Sequence, residues 1–367
     1  MKATVIIPNY NGMRFLPDCI ESLRREPGCA GEENGTTASV ASSEASNNAD
    51  AATDEVNGTK TVRKRVQTSS GTDVVFDILV VDNGSSDGSL EWLKANHVPT
   101  LALPENQGFA GGVNRGIEAC DSEYVILLNN DTVVLPGFVK NLIATIERSD
   151  KLFSVGAMMI RADDHTRLDS AGDGLTVLGW AYQRGIDQDV TMYLSERDVF
   201  ATCAGAAIYR RRVLDEIGLF DEMHFAYLED IDICYRARLA GYFSRYCPTA
   251  RVYHLGSATS GSKYNPFKVH ISARNNVYLM YKNQPDLQLM LNAPALAVGC
   301  LVKAVFFWKK GFLKDYLGGL KEGFANIDKC RRAPKARHGL ITYAAVQWEL
   351  LMYTFEYCKA YLERNTL

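Results

Sequence analysis

The sequence lacks paired cysteines, an excess of basic charge and an uninterrupted apolar run of bilayer length. Its nine cysteines are scattered, with no C-x-x-C pair and no close spacing. That excludes a zinc-binding or disulfide-built scaffold and fits reduced thiols. Lys and Arg number 40 against 43 Asp and Glu, a net charge of -3, so no basic footprint points to a nucleic-acid partner. The start of the chain shows no basic segment leading into an apolar secretion signal. Ala3-Thr4-Val5-Ile6-Ile7-Pro8 reads instead as a buried strand, which predicts a cytoplasmic protein. Ala293–Trp308 is apolar but falls short of the roughly 20 residues a spanning helix needs, and Pro294 and Lys303 interrupt it.

What is present is an α/β pattern. With 367 residues, the chain holds one large domain plus an appendage. Strands are predicted at Thr4–Ile7, Phe76–Val81, Thr100–Leu103 and Tyr124–Leu128. Helices are predicted at Phe15–Arg25, Ser89–Asn96 and Val113–Cys120. This alternation implies a mostly parallel sheet with helices on both faces. In such sheets ligands bind beyond the carboxyl ends of the strands. Polar clusters fall at those ends: Asn9-Tyr10-Asn11, Asp82-Asn83-Gly84 and Asn129-Asn130-Asp131. Between the first helix and the second strand, residues 27–73 carry almost no large apolar side chains and read as a disordered insert. The domain is expected to span 1–280, with an α-helical tail over 281–367. In that tail the apolar Ala293–Trp308 stretch is followed by Lys309, Lys310 and Lys314. It reads either as a helix lying in a membrane interface or as a core-packing helix.

The chemistry-bearing residues lie in five stretches. Asp82 opens Asp82-Asn83-Gly84-Ser85-Ser86-Asp87-Gly88, a setting either for nucleobase or ribose recognition or for a plain capped strand-to-helix turn. Asn106 to Gly116 is a Gly-rich loop entering a helix, whose N–H groups, with Arg115, can hold phosphate oxygens. It is not a dinucleotide fingerprint, because it follows the third strand and lacks the G-x-G-x-x-G spacing. Asp131, after Leu127-Leu128-Asn129-Asn130, offers a hard oxygen ligand for Mg²⁺ or Mn²⁺, or else a common Asn-Asp turn. In Glu229-Asp230-Ile231-Asp232-Ile233-Cys234-Tyr235-Arg236, helical geometry puts Glu229, Asp232 and Arg236 on one face, expected to pair on a solvated surface. Asp230 points to the apolar side as a candidate general base, with helix capping as the alternative. His254 ends the strand-like Ala250-Arg251-Val252-Tyr253, as a second metal ligand or a structural histidine.

Taken in order over residues 1–280, these stretches resemble glycosyltransferase family two, and within it the rhamnosyltransferase-like enzymes of bacterial polysaccharide assembly. The matching segments are Val5 to Asn11, Val80 to Asp87, Asn106 to Gly112, Leu127 to Thr132, and Glu229 to Asp232 with Arg236, Gly241 and His254. The resemblance implies a GT-A, Rossmann-like α/β fold and an inverting transfer from a dTDP- or UDP-sugar, such as rhamnose, to a glycan or lipid-linked hydroxyl. It places Asp230 as the base and Asp131 and His254 on a divalent cation. Around the donor it places Pro8, Tyr10, Asn11, Asp82, Asn83, Asn106, Gly108, Gly112, Arg115, Asn130 and Arg236. Asn129 stands where many members have Asp, and the 27–73 insert is not a usual family feature. A cytoplasmic enzyme, peripheral on the inner face of the membrane, is the resulting expectation. An inactive transferase-fold scaffold and another nucleotide-binding α/β enzyme, a dehydrogenase or nucleotidyltransferase, are the alternatives.

Overall fold

An apolar run with no alternation must be buried on both faces, which makes it a central strand. The computed structural model, which describes residues 2–26, 55–56, 59–60, 66–67, 73–256 and 264–366, shows this for Val5, Ile6 and Ile7. All three are fully buried in β1 (Lys2–Asn9). Helix α1 (Leu16–Arg24) follows, with Pro17 in its first turn and Leu16, Cys19, Ile20 and Leu23 turned inward. The 27–73 insert lies outside the described residues except for β2 (Glu55–Val56), β3 (Thr59–Lys60), β4 (Val66–Gln67) and the first residue of β5 (Asp73–Asp82). Next come α2 (Ser89–Ala95), β6 (Thr100–Ala102), α3 (Gly108–Glu118), β7 (Tyr124–Leu128), β8 (Thr132–Val134), α4 (Phe138–Ile146) and β9 (Leu152–Arg161). Short strands β10 (Leu168–Ser170), β11 (Asp173–Leu175), β12 (Ala181–Gln183) and β13 (Arg197–Val199) precede β14 (Ala206–Arg210), α5 (Arg211–Ile217), α6 (Glu229–Leu239) and β15 (Phe243–His254).

The main sheet runs β13-β15-β9-β14-β7-β1-β5-β4. Strand β1 pairs in parallel with β5 and β7, and β9 pairs in parallel with β15, while β14 lies antiparallel between β7 and β9. The sheet is therefore mixed and mostly parallel through its first half. Side chains alternate across it. Val5 and Ile7 join α1, α2 and α4 in one apolar layer, and Ile6 joins α3, α5 and α6 in the other. A Cβ on Gly116 would come 2.6 Å from Ile6 Cγ2, so this glycine lets α3 lie directly on the sheet.

Four helices close the chain: α7 (Pro266–Asn283), α8 (Asp286–Lys310), α9 (Leu313–Ala325) and α10 (Leu340–Thr366). The expected boundary at 280/281 falls inside α7. Val346, Leu350 and Tyr353 of α10 are buried in the same apolar layer as α6. The apolar stretch is longer than the sequence implies. Pro294 is accommodated inside α8, which runs 25 residues and contains an 18-residue window with a mean hydropathy of 1.8. By length and composition it is sufficient to cross a bilayer.

Candidate functional site

The carboxyl ends of β7, β1 and β5 are tied together by side-chain amides. Asn9 Nδ2 donates to Asp82 Oδ1 at 3.0 Å, and Asn9 Oδ1 accepts from Asn130 Nδ2 at 2.8 Å. Asp82 Oδ2 also accepts the Ser85 amide at 3.2 Å. Asp82 thus caps its turn while lying at the ligand edge of the sheet. Asn11, at φ 52, accepts from the Ser86 amide at 2.8 Å, and Asp87 accepts from the Met13 amide at 2.8 Å. Burial opposes the Asp87 charge, but the donors Ser89 and Met13 outweigh it and hold its carboxyl below the usual range. The loops after β1 and β5 are therefore cross-linked. Pro8 is half-buried opposite Val81, and Tyr10 is 38% exposed at the rim.

The Gly-rich stretch is more ordered than its composition implies. Helix α3 begins at Gly108 rather than near Val113, because side chains supply the acceptors its first turn needs. Asn106 Oδ1 accepts the Gly108 amide at 2.9 Å, and Asn83 Oδ1 accepts the Gln107 amide at 2.9 Å. Asn83 Nδ2 in turn donates to Gly108 O at 2.8 Å. Gly108 adopts φ +76, and a Cβ there would meet Phe225 at 2.5 Å. Gly112 is buried beside Asn83. Arg115 is engaged by Glu118, by Glu222 at 2.8 Å and by Gln107.

Asp131 and His254 are brought together. Strand β15 pairs antiparallel with β8, placing His254 opposite Thr132. His254 Nε2 lies 3.3 Å from Asp131 Oδ1, and its Nδ1 lies 2.8 Å from Asp169 Oδ2. Burial disfavours the imidazolium, but the two carboxylates overcome that and push its pKa up to about 10. A shielded oxygen and an imidazole nitrogen at this spacing form a donor set suited to Mn²⁺ or Mg²⁺, with phosphate and water completing the shell. Asn129 contributes nothing to this pair; its amide lies against Gly205.

Asp230 sits in the first turn of α6, half-buried, and accepts the Ile231 amide at 2.8 Å and the Ala204 amide at 3.4 Å. Burial raises its pKa against those hydrogen bonds. Asp173 and Cys203 stand beside it, the three side chains offering ligand atoms within 4.8 Å of one another. Burial first, and then the Asp230 charge, push Asp173 well above the carboxylate range. The approach to α6 is strained: Phe225, Tyr227 and Leu228 all have positive φ, a cost of about 1–3 kcal/mol each that surrounding structure must offset. Helix α7 supplies the restraint, since Asn275 Nδ2 donates to the carbonyls of His224, Ala226 and Tyr227.

The remaining acidic face of α6 is not solvated, contrary to its helical spacing. Asp232 is 0% exposed and bonds Arg236 and Lys282, both at 2.9 Å. Arg236 spends its other donors on the carbonyls of Ile217, Gly218 and Leu219. Glu229 is buried too, its pKa raised by burial and then by Asp230. The cause is α7, which covers this face with Lys282 and Asn283. The sequence places Asn9 in a polar cluster without a role of its own, and it does not single out Asp169, Asp173 or Lys282. Of these three, only Asp169 and Asp173, four apart in a turn rich in small residues, carry a local signal.

Residues 59–218 match the family model described as glycosyl transferase family 2, so that stretch of the chain is similar to the family. The matched stretch contains Asp82, the α3 entry, Asp131, Asp169 and Asp173, and stops before Asp230 and His254. An N-acetylglucosaminyl-diphospho-decaprenol L-rhamnosyltransferase of Mycobacterium tuberculosis is 28% identical over 218 residues, 53% of this chain and 71% of that protein. A low-salt glycan biosynthesis hexosyltransferase, Agl10, of Haloferax volcanii is 23% identical over 263 residues, covering 69% and 84%. Among solved structures, GalNAc-T7 with UDP, GalNAc and Mn²⁺ superposes with a TM-score of 0.50 at 14% identity, over 77% of this chain and 48% of that one. The chain spans about half of that structure's length, and the likeness establishes a shared GT-A fold.

Proposed function

We propose that this chain, part of which matches the glycosyl transferase family 2 model, moves a sugar from a nucleoside-diphosphate donor onto an acceptor hydroxyl with inversion at the anomeric carbon. One observation carries the reading. A single segment puts Asp169 on His254, which faces Asp131, and puts Asp173 beside Asp230. A cation-binding pair and a half-buried carboxylate are thereby held by the same short turn, as a reaction needing both leaving-group stabilisation and a base requires.

In this reading Asp230 accepts the proton of the acceptor hydroxyl as that oxygen attacks the anomeric carbon. The amides of Ile231 and Ala204 fix its carboxylate while burial keeps it basic enough to serve. Asp131 and His254 hold a divalent cation, which supplies positive charge to the departing diphosphate. Asp82, Asn83 and the α3 entry shape the donor's nucleoside and phosphate side, with Tyr10, Asn11 and Pro8 at the rim. Asn106, Gly108, Gly112, Arg115 and Asn130 support that side through their hydrogen bonds. Arg236 acts through α6 rather than on the donor. Displacement is direct and forms no covalent intermediate. The similarity to the mycobacterial L-rhamnosyltransferase favours rhamnose among the sugars and a lipid-linked saccharide acceptor; in this reading the donor is a dTDP- or UDP-sugar and the transfer takes place at the cytoplasmic face of a membrane.

The test is product formation from a panel of dTDP- and UDP-sugars with a lipid-linked N-acetylglucosamine acceptor, with Mn²⁺ or Mg²⁺ and after chelation. Transfer from one donor class, lost on chelation and restored by the cation, supports the reading. Full activity after exhaustive chelation removes the cation from it, and no transfer from any donor removes the activity.

A further inference from the structure

His254 has two faces, and both meet a carboxylate. Asp169 Oδ2 lies 2.8 Å from Nδ1, and Asp131 Oδ1 lies 3.3 Å from Nε2. Both contacts are shielded, with side-chain exposures of 11% for His254, 19% for Asp169 and 7% for Asp131. A neutral imidazole donates from one nitrogen only. Without a cation the ring can keep both protons, one for each carboxylate; a cation bound beside Asp131 takes the place of the Nε2 proton, and Nδ1–H stays with Asp169 so that Nε2 turns its lone pair to the cation. The two residues reach this arrangement from opposite sides of β9. Leu168 and Ser170 of β10 pair with Ile160 and Met159, and His254 of β15 pairs with Arg161. Among the described residues Asp169 makes no other side-chain hydrogen bond.

We infer that Asp169 is a positioning residue that fixes the ring orientation and tautomer of His254 so that Nε2 faces the cation shared with Asp131. The inference rests on the cation-binding reading of the Asp131–His254 pair. Asp169 itself does not ligate. A carboxylate behind a ligating histidine fixes its tautomer and raises its basicity, and its loss typically weakens metal binding 10–100-fold.

The experiment is a Mn²⁺ titration by electron paramagnetic resonance on the full chain, alone and with saturating UDP or dTDP. Wild type, Asp169→Ala, Asp169→Asn, His254→Ala and the Asp169→Ala/His254→Ala double variant are compared. Asp169→Ala is expected to weaken Mn²⁺ by roughly 10–100-fold, and Asp169→Asn, which keeps an acceptor oxygen, by less. The double variant should bind no more weakly than His254→Ala alone, because a residue acting through His254 has nothing left to act on. Nitrogen-15 shifts of the His254 ring with diamagnetic Mg²⁺ bound give a second readout: protonation fixed at Nδ1 in wild type and lost in Asp169→Ala. Additive losses make Asp169 an independent ligand and overturn the inference, as does an unchanged affinity in Asp169→Ala. Unchanged affinity in His254→Ala overturns the cation-binding reading itself, and the positioning role with it.

Discussion

A carboxylate serves as a base only while ionised, so its neighbours set the pH at which it works. Burial raises Asp230 above its ordinary value of 3.8, and the acid limb of kcat/KM should lie above that value, activity falling as pH drops through it. Asp230→Asn removes the base without changing shape and should lower kcat by roughly 10²–10⁴-fold while donor binding, followed by calorimetry, stays near normal. Near wild-type turnover in that variant would end the assignment. Burial and then the Asp230 charge raise Asp173, so the two neighbouring carboxyls do not readily ionise together, and in this reading Asp230, held by two amides, is the one that carries the charge. Asp173→Asn, which imitates a neutral carboxyl, should therefore leave the acid limb in place; a shift of a full pH unit would mean Asp173 carries the charge. Asp230 was legible in the sequence because Glu229-Asp230 opens a helix with apolar residues on the Asp230 side. Asp173 was not. Its nearness to Asp230 comes from paired backbone bonds between Asp173 and Ala201, which no local pattern announces.

At the scale of elements, α6 and α7 meet through buried charge. Burial works against the Asp232 carboxylate, but Lys282 and Arg236 outweigh it and hold its pKa far below 3.8. Lys282 likewise lowers Asp221 against burial. A carboxyl whose folded pKa is depressed adds stability that is complete above its unfolded value and lost as pH falls through the folded one. The protein should thus lose stability progressively as pH drops below 3.8. Asp232→Ala leaves Lys282 and Arg236 facing a void and should cost roughly 3–5 kcal/mol at neutral pH, read from urea unfolding. It should also flatten the loss as pH falls below 3.8. A variant as stable as wild type would show that the network is replaceable. Helical spacing grouped Glu229, Asp232 and Arg236 correctly. It could not reveal their burial, because the covering residue, Lys282, lies about fifty positions away on another helix. The strand and helix alternation was readable for the opposite reason, since each apolar run carries its own periodicity or lack of it.

Across the whole molecule, the helical tail presents more apolar surface than a solvated protein needs. Leu287, Met290, Leu291, Val298, Leu301, Val305 and Trp308 of α8 are exposed. The tail is not detachable, because α10 is built into the core beside α6 and the Ala333 amide bonds Lys282 O at 2.9 Å. Truncation near Asp286 would uncover that core and cause aggregation whatever α8 does, so point changes on the exposed face are the informative ones. Lys309 and Lys310 end α8 and Lys314 follows in α9, a basic rim beside the apolar face that complements an anionic lipid surface at about 1 kcal/mol per residue. The full chain should sediment with anionic liposomes at low salt and less at high salt. Leu301→Glu/Val305→Glu/Trp308→Glu should abolish sedimentation without lowering Tm, since all three side chains face solvent. Such a variant should still glycosylate a water-soluble acceptor analogue while losing turnover of acceptor embedded in vesicles. If wild type ignores liposomes at every salt concentration, the apolar face serves another copy of the chain or a soluble partner, and the acceptor is a soluble glycan.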